Sequence, residues 1–354
     1  MSMKMPNVEI TFSEKAAARF VNGERGIIFM ILKGTAPVAN PCVIYNSTDI
    51  PNGIDAANEE QIKLALVGYQ TAPKKVICYF VEGVEGYAEA LKYAQTTSFQ
   101  YLVAPTAETD EKVADIVNWI KSEREADHKV KAVLPNATAD TEGVISYTTA
   151  SVSVGDKTYT AEQFCSRIAG IIAGTPLTIS ATYAPVSEAT DCTRLTKKEM
   201  DEAVGKGEFF LFWDGEKVKT SRAVNSLVTT TEDKNEQFQK IKIVEVMDSL
   251  FDDIKTTIED SYLGKYANTY SNKCLLISAI NVYLQSLVDK GILNKGEVEI
   301  DVNAVRTYLI SKGVDVSDME EEEIKRANTG SKVFLAANVS ILDAIEDIVM
   351  PISI

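Results

Sequence analysis

The chain has 354 residues, of which 45% are hydrophobic and 25% are charged, and its formal net charge is −15 at pH 7. This length accommodates two or three domains, and the composition is typical of a globular protein. The acidic balance, with no block of Lys and Arg, argues against a nucleic-acid groove and against docking on an anionic membrane, because both need clustered cations.

The first element in the chain is the period-two pattern "NVEITF", which places Val8, Ile10 and Phe12 on one face of a predicted strand. Chain ends are usually frayed and polar unless another segment holds them. An apolar strand at the chain end therefore needs another segment to pair with.

Short apolar strands alternate with amphipathic helices after residue 22. The predicted strands are "RGIIFMILKG", "KKVICYFV", "QYLVAP" and "KVKAVLP", and the predicted helices between them are "NEEQIKLALVGY", "GYAEALKYAQ" and "DEKVADIVNWIKSERE". This alternation indicates βαβ units and predicts a mixed, mostly parallel sheet that is covered by helices.

The next segment contains two glycine turns and a closely packed helix. Gly155-Asp156 and Asp214-Gly215 lie between β-type runs and predict hairpins. The helix "AEQFCSRIAGIIAG" has the spacing Gly170-x-x-x-Gly174, which we expect to allow close packing on the sheet. The run "RAVNSLVTTT" is predicted to add a third strand after the second hairpin.

The composition changes near residue 235, where one long amphipathic helix is predicted over residues 235–262. Further helices are predicted to end at Gly291 and Gly313, and strands are predicted in "SKVFLAANVSIL" and "AIEDIVMPISI". The terminal strand alternates Ile348, Met350, Ile352 and Ile354 with other residues.

The predicted fold is α/β followed by α+β. The predicted segments are an N-terminal arm (1–22), an α/β region (23–234), an α+β region (235–343) and a C-terminal arm (344–354).

The sequence contains few of the residues and motifs that catalysis requires. The single histidine, His128, lies between a predicted helix and a predicted strand, where we expect a solvated side chain without a carboxylate partner. Phosphate-binding and zinc-binding motifs are not found. Acidic pairs such as Asp252-Asp253 could act as acid and base or hold Mg²⁺, but a solvated helix face explains them better. We predict a protein that is not an enzyme and has no cofactor.

The cellular compartment follows from the cysteines and the N-terminus. Five widely spaced cysteines without a C-x-x-C motif indicate reduced, buried thiols. The N-terminus has no apolar signal core, and no apolar run reaches the length of a membrane helix. We expect synthesis in a reducing cytosol and no membrane insertion.

Several stretches resemble contractile tail sheath proteins, and most closely the short sheaths of PBSX-like prophages and of phage-tail-like bacteriocins. They include "PNVEITF", "FQYLVAP", "FCSRIAGIIAGTPLTISATYAP", "WDGEKVKTSRAVNSLVTTT" and "KIKIVEVMD". These stretches occur in order along nearly the whole chain. None of them is a chemical motif, so the family name depends on the resemblance and not on the composition.

The resemblance implies a structural subunit that forms stacked hexameric rings around an inner tube and contracts to drive the tube through a bacterial envelope. It also implies a subtilisin-like architecture without catalytic residues. The implied partners are further copies of this chain, the tube protein, and the baseplate and tail terminator proteins, with no nucleic acid. The assembled particle would be a virion tail or a released bacteriocin.

The resemblance also implies that both arms add strands to neighbouring subunits. The alternating residues of the expected receiving strand are Val333, Leu335, Val339 and Ile341. The helices after residue 235 would face the tube through exposed lysines, for which the candidates are Lys240, Lys242 and Lys255. Movable joints are expected near residues 14–22 and 342–346.

Three alternatives remain open from the sequence. Both termini could pair within their own subunit. The chain could form a non-contractile assembly that uses the same strand exchange. It could also be an α/β hydrolase-like enzyme, although neither a nucleophile, a base nor an oxyanion hole is evident.

Overall fold

The structure is a computed structural model that describes residues 23–37 and 39–353. The described chain divides into two units. We call residues 23–250 together with 343–353 the sheet unit, and residues 251–342 the C-terminal unit. The predicted N-terminal arm and four predicted arm residues lie outside the described residues: 1–22, Val8, Ile10, Phe12 and Ile354.

Strands and helices alternate through most of the described chain. The strands are β1 (Ile27–Lys33), β2 (Cys42–Ile44), β3 (Lys75–Val81), β4 (Tyr101–Val103), β5 (Lys131–Pro135), β6 (Val144–Tyr147), β7 (Ser151–Val154), β8 (Lys157–Thr160), β9 (Asp191–Cys192), β10 (Glu208–Phe209), β11 (Leu211–Trp213), β12 (Val218–Thr220), β13 (Leu293–Ile300) and β14 (Leu335–Ile341). The helices are α1 (Ala56–Leu66), α2 (Gly86–Ala94), α3 (Val113–Glu125), α4 (Ala161–Ala173), α5 (Lys197–Gly205), α6 (Ile241–Ser261), α7 (Tyr270–Asp289), α8 (Val302–Ser311) and α9 (Glu321–Arg326). The chain is therefore a mixed α/β protein.

A seven-stranded sheet organises the sheet unit, in the order β10-β6-β5-β4-β1-β3-β2. Neighbouring strands run parallel except β2, which is antiparallel to β3 at one edge. Met30 of β1 packs in one core with α1 and α4, whereas Phe29 packs in a second core with α2 and α3. Strands covered on both faces form continuous apolar runs, and this is why these strands could be predicted.

The two glycines of α4 allow the helix to approach the chain around α1. A Cβ atom on Gly170 would lie 2.2 Å from the carbonyl oxygen of Ala65 in α1, and one on Gly174 would lie 2.1 Å from the carbonyl oxygen of Thr71. Either distance is far below van der Waals contact. The predicted close packing is confirmed, but its partner is α1 and the loop after it and not the sheet.

Both predicted glycine turns are confirmed, the first joining β7 to β8 and the second joining β11 to β12. The predicted third strand over residues 222–231 is wrong. The N–H groups of Val228 and Thr229 donate to the carboxylate of Asp140 at 2.7 and 2.9 Å. Because a side chain accepts these hydrogen bonds, the segment has no need of a neighbouring strand.

The predicted helix over residues 235–262 begins late. A 3-10 turn over Glu236–Gln239 comes first, and Lys240 is extended, with φ −90° and ψ 124°. An extended residue that also bridges to Val224 interrupts a helix, so α6 starts only after it. The division between the two units falls inside α6, after Leu250, and therefore later than the predicted boundary at residue 235.

Strands β13 and β14 form a two-stranded antiparallel sheet in the C-terminal unit. Its small core is built from β13, α8, α9 and the segments beside them, with the buried residues Ile300, Val305, Leu309, Val316 and Ile324. The sequence did not predict β13, because Asn294, Lys295 and Gly296 interrupt its apolar alternation.

Candidate assembly site

The single histidine is paired with a carboxylate. Its Nδ1 atom lies 2.8 Å from Glu123 Oε2, and its ring packs edge-on against Phe99. The expectation of a solvated histidine without a carboxylate partner is wrong, because Glu123 at the end of α3 lies beside the ring nitrogen and the histidine side chain is only 26% exposed. In the described part of the chain, no hydroxyl or thiol forms a hydrogen bond with the ring of His128. The nucleophile of a catalytic triad is therefore missing there.

The acidic pairs and thiols have structural surroundings. Asp253 is buried and accepts a hydrogen bond from the Tyr283 hydroxyl at 2.6 Å, and Glu323 caps the start of α9. The five cysteines are free thiols, and Cys274 is the least buried of them. Among residues 23–37 and 39–353, no group of three His, Cys, Asp or Glu side chains could hold a metal ion. None of the helices there combines the length and the apolar character that crossing a bilayer requires.

The densest group of ionisable side chains lies between β5, α3 and α6. Lys131 Nζ lies 2.7 Å from Asp248 Oδ2 and 2.8 Å from Glu245 Oε1. Arg124 donates two parallel hydrogen bonds to the Asp248 carboxylate, at 2.9 and 3.0 Å. Arg25 Nη2 lies 3.0 Å from Glu245 Oε2. We call these five residues the ion network.

In the ion network, attraction between opposite charges shifts the pKa values more than burial does. Burial alone would raise the pKa of the Asp248 carboxyl, but Lys131 and Arg124 hold that pKa below its ordinary value. Burial alone would lower the pKa of the Lys131 amine, but Asp248 and Glu245 raise it. Asp248, Glu245 and Lys131 therefore stay charged near neutral pH. With its partners so close, the ion network anchors the first turns of α6 to the sheet.

The three candidate tube-contact lysines differ in their surroundings. Lys242 is buried with its amine 3.4 Å from the Thr178 carbonyl, and burial lowers the pKa of that amine. Lys240 pairs with Asp343. The expectation of an exposed helix face is wrong for Lys242, which is buried, and Lys240 precedes α6 and is partly exposed. The contact of these lysines with a tube stays a prediction. Lys255 is half-buried, with its amine 5.5 Å from the Phe251 ring centroid.

Asn281 of α7 occupies the outer edge of β13. Its Oδ1 atom accepts the Val298 N–H at 2.7 Å, and its Nδ2 atom donates to the Val298 carbonyl at 3.0 Å. One side-chain amide thus replaces the pair of backbone groups that a further strand would offer at this position. Because both backbone groups of Val298 are directed at Asn281, they are directed away from β14.

The outer edge of β14 is open. Val298 pairs in register with Ala337, so the backbone groups of Ala337 also point away from their partner strand. This orientation alternates along a strand, and Leu335 and Val339 therefore share it. Within the described residues, the outward N–H and C=O groups of this strand make no hydrogen bond. Such an edge is a template for another strand.

The expected receiving strand coincides largely with β14. Leu335, Val339 and Ile341 lie in β14 and are half-buried along one face. Val333 precedes the strand and is 41% exposed. The edge that could receive a strand therefore begins at Leu335.

The C-terminal segment, which we define as residues 343–353, enters no helix or strand. No N–H group from Ile345 to Ser353 forms a backbone hydrogen bond within the described chain. Its apolar side chains are largely exposed: Ile345 87%, Ile348 79%, Val349 93%, Met350 72% and Ile352 74%. The described C-terminus therefore does not complete a sheet of its own subunit, and exposed apolar side chains in such a run indicate a binding surface.

Two family models match the chain. The phage tail sheath protein central domain matches residues 82–226, and the phage tail sheath C-terminal domain matches residues 233–354. Together they cover more than half of the sequence.

Individual relatives agree with the family models. The tail sheath protein of Clostridium phage phiCD119 is 38% identical over 349 residues, which are 97% of either chain. The phage-like element PBSX protein XkdK of Bacillus subtilis is 34% identical over 172 residues, which are 48% of this chain and 37% of that protein. A solved sheath complex of an extracellular contractile injection system, in its contracted state, shares the fold with a TM-score of 0.69 and 12% identity, over 100% of this chain and 98% of that chain.

Proposed function

The chain belongs to the phage tail sheath family, and we propose that it polymerises around an inner tube and contracts to drive that tube through a bacterial envelope. The resemblance to sheath proteins noted in the sequence is confirmed by both family models and by the relative from phage phiCD119. The subunits would form stacked hexameric rings. The subtilisin-like likeness is proposed as architecture only.

One observation carries this proposal, and it combines two features of the same subunit. It has an open strand edge at β14, and it has an unpaired apolar segment at its C-terminus. We propose that an arm within residues 344–354 of one subunit adds a strand to β14 of a neighbour. Asn281 favours β14 over β13 as the receiving strand, because it already satisfies Val298 on the β13 edge.

The energetics suit an assembly of many subunits. Each backbone hydrogen bond gained contributes about 0.5–1.5 kcal/mol, and each buried Ile or Val contributes about 1.5–3 kcal/mol. Ordering each residue of the arm costs about 1–2 kcal/mol. These terms nearly cancel for a single arm, so two free subunits should associate weakly. Many arms that engage at once bind through a high effective concentration.

Weak pairing of single subunits has a functional benefit. The protein can remain dispersed in the cytoplasm until a tube and a baseplate template the sheath. The tail terminator protein would then end its growth. The finished particle would be a virion tail or a released bacteriocin. The N-terminal arm, residues 1–22, is proposed to exchange in the same way, and the region after residue 235 is proposed to contact the tube.

The test is deletion of residues 344–354 in the full chain. We expect a folded subunit, by circular dichroism, that builds no sheath on co-expression with the tube protein. The matched variant keeps the length but replaces Ile348, Met350 and Ile352 with Ser, and it should fail in the same way. Normal sheaths from both variants would show that the C-terminal arm does not hold the lattice.

Negative-stain microscopy of the unaltered protein tests the remaining alternatives. Tubes of two diameters support a contractile sheath. Polymers of one fixed diameter would favour a static assembly. A purified protein that stays monomeric would favour an enzyme.

A further inference from the structure

We propose that four side chains of the sheet unit form a clasp that fixes the first part of the C-terminal segment, so that the free arm begins at Ile348. The clasp consists of Ser180, Thr182, Arg222 and Lys240. This inference rests on the proposed function only in regarding residues 348–354 as an arm.

Glu346 is the residue that the clasp holds. Its side chain is 7% exposed, although both neighbours along the chain are exposed. Thr182 Oγ1 donates to Glu346 Oε1 at 2.5 Å, and Ser180 Oγ lies 3.4 Å from the same oxygen. The other carboxylate oxygen faces two cations, with Arg222 Nε at 3.5 Å and Lys240 Nζ at 3.8 Å. One buried carboxylate thus has hydroxyl donors on one side and positive charge on the other.

Two further carboxylates flank Glu346 and use the same cations. Lys240 pairs with Asp343, and Arg222 Nη2 lies 2.6 Å from Asp347 Oδ2. The three acidic residues of the segment therefore meet the two cations of the clasp. The charges are complementary, and each cation is shared by two carboxylates.

The clasp is held in place by contacts that do not involve the C-terminal segment. The hydroxyls of Ser180 and Thr182 lie 2.9 Å apart, and Thr182 Oγ1 also accepts the Ala223 N–H at 2.9 Å. Arg222 follows β12, and Lys240 is fixed by its bridge to Val224. Because these contacts exist within the sheet unit itself, little further ordering is needed to receive Glu346.

Because of the clasp, we place the movable joint later in the chain than residues 342–346. Residues 342–346 were expected to form the movable joint, but they include Asp343 and Glu346, which are both held. Beyond Asp347, which is paired with Arg222, the side chains of the segment make no hydrogen bond or ion pair in the described chain. A neighbouring subunit would then need to order only residues 348–354, which start from a fixed point. Arg222 and Lys240 are thus positioning residues for the arm.

Digestion with a glutamate-specific endoprotease tests the clasp directly. Cleavage after Glu346 releases residues 347–354, and mass spectrometry detects the loss. In the full-length protein before assembly, we expect this cleavage to be at least about tenfold slower than cleavage after the exposed Glu232, because only the open form of the clasp can be cut.

Two variants that keep Glu346 show whether the clasp is the cause. Arg222→Gln and Lys240→Gln should each accelerate cleavage after Glu346 by about tenfold, as expected for the loss of charge-assisted contacts. The control Lys198→Gln removes a lysine of α5 that is 87% exposed, and it should leave the rate unchanged. Cleavage after the exposed Glu232 corrects for protease activity in every digest, and cleavage after the buried Glu162 would reveal general unfolding. Rapid cleavage in the unaltered protein, or unchanged rates in both variants, would overturn the clasp.

An assembly assay separates this inference from the proposed function. With the arm intact but unclasped, we expect sheath formation on tubes to need about tenfold more subunit, since a longer segment must be ordered. Unchanged assembly together with faster cleavage would overturn the positioning role. If deletion of residues 344–354 left assembly intact, the proposed strand exchange would fail, whereas the cleavage result would still decide whether the clasp exists.

Discussion

The buried charges of the sheet unit stabilise it only as a group. Lys131 is almost completely buried, and a lysine in that position is tolerated because Asp248 and Glu245 face it. The pKa values of these carboxyls lie below their unfolded values of about 3.9 for Asp and 4.3 for Glu. Their contribution to stability is therefore present above those unfolded values and is lost as the pH falls through the folded pKa.

Lys131 sets the upper end of the pH range in which the ion network stabilises the sheet unit. Because the pKa of Lys131 is raised above its unfolded value of about 10.4, its contribution is present below that pH and is lost as the pH rises through the folded pKa. The ion network should therefore stabilise the sheet unit between about pH 4 and pH 10.

We predict that Asp248→Asn lowers the free energy of unfolding by about 3–5 kcal/mol at pH 7, because Lys131 and Arg124 lose the carboxylate that they share. The difference between the variant and the unaltered protein should shrink below about pH 4, where Asp248 becomes protonated in both the unfolded and, eventually, the folded state. Urea unfolding followed by circular dichroism at several pH values measures both effects.

The matched control for this prediction is Asp201→Asn in α5. Asp201 pairs with Lys197 at the surface, where 62% and 79% of the two side chains are exposed. An exposed pair of this kind contributes little to stability, because water and salt screen the two charges. Equal effects of the two substitutions would mean that burial does not strengthen the ion network.

The two strands of the C-terminal unit differ in the hydrogen bonding of their outer edges. Asn281 covers β13 at Val298, whereas β14 leaves outward backbone groups unpaired in the described chain. Substitution by proline can distinguish outward from inward N–H groups of β14. Proline removes one N–H group, and an edge strand tolerates it only where that group forms no hydrogen bond to the partner strand. Ala337 has an outward N–H, and its neighbour Asn338 pairs with Glu297 and has an inward N–H.

We predict that Ala337→Pro leaves the subunit folded, with a free energy of unfolding within about 1 kcal/mol of the unaltered protein, but abolishes sheath formation. Its N–H would be needed only by an added strand. Urea unfolding and electron microscopy after co-expression with the tube protein measure the two outcomes.

The adjacent substitution Asn338→Pro provides the contrast. It removes a hydrogen bond between β13 and β14 and should lower the free energy of unfolding by about 1–3 kcal/mol. Normal sheaths from the Ala337→Pro variant would exclude the open edge of β14 as the receiving edge.

The packing within each unit determines how it can move in the proposed contraction. The sheet unit has apolar cores on both faces of its sheet, and α4 lies too close to α1 for any side chain at Gly170. Close-packed interiors respond to force as rigid bodies and do not stretch continuously. Motion should therefore concentrate where the chain is free, which in the described C-terminus is after Asp347.

We predict that the sheet unit and the C-terminal unit each keep their internal structure in extended and contracted sheaths. Cryo-electron microscopy of both states of one particle provides the measurement. Each unit, superimposed separately, should differ by no more than about 1 Å in its Cα positions, as rigid partners do on binding. A refolded core, or arms paired with different neighbours in the two states, would contradict this prediction.

The sequence by itself determined the elements whose signals are local. Buried parallel strands such as β1 and β3 have continuous apolar runs, and glycine turns join β7 to β8 and β11 to β12. The family was also predictable, because the matching stretches follow one another along nearly the whole chain. Each of these signals lies within a few neighbouring residues or in their order.

Only the tertiary structure decided the features that depend on distant residues. The strand β13 is held by β14 and Asn281, the segment 222–231 is kept from forming a strand by Asp140, and the burial of Lys242 depends on the sheet unit. The clasp likewise joins Thr182 to Glu346, which lie 164 positions apart in the chain. Periodicity reports which face of an element is apolar but not which distant side chain accepts its hydrogen bonds, because that depends on how the chain folds back on itself.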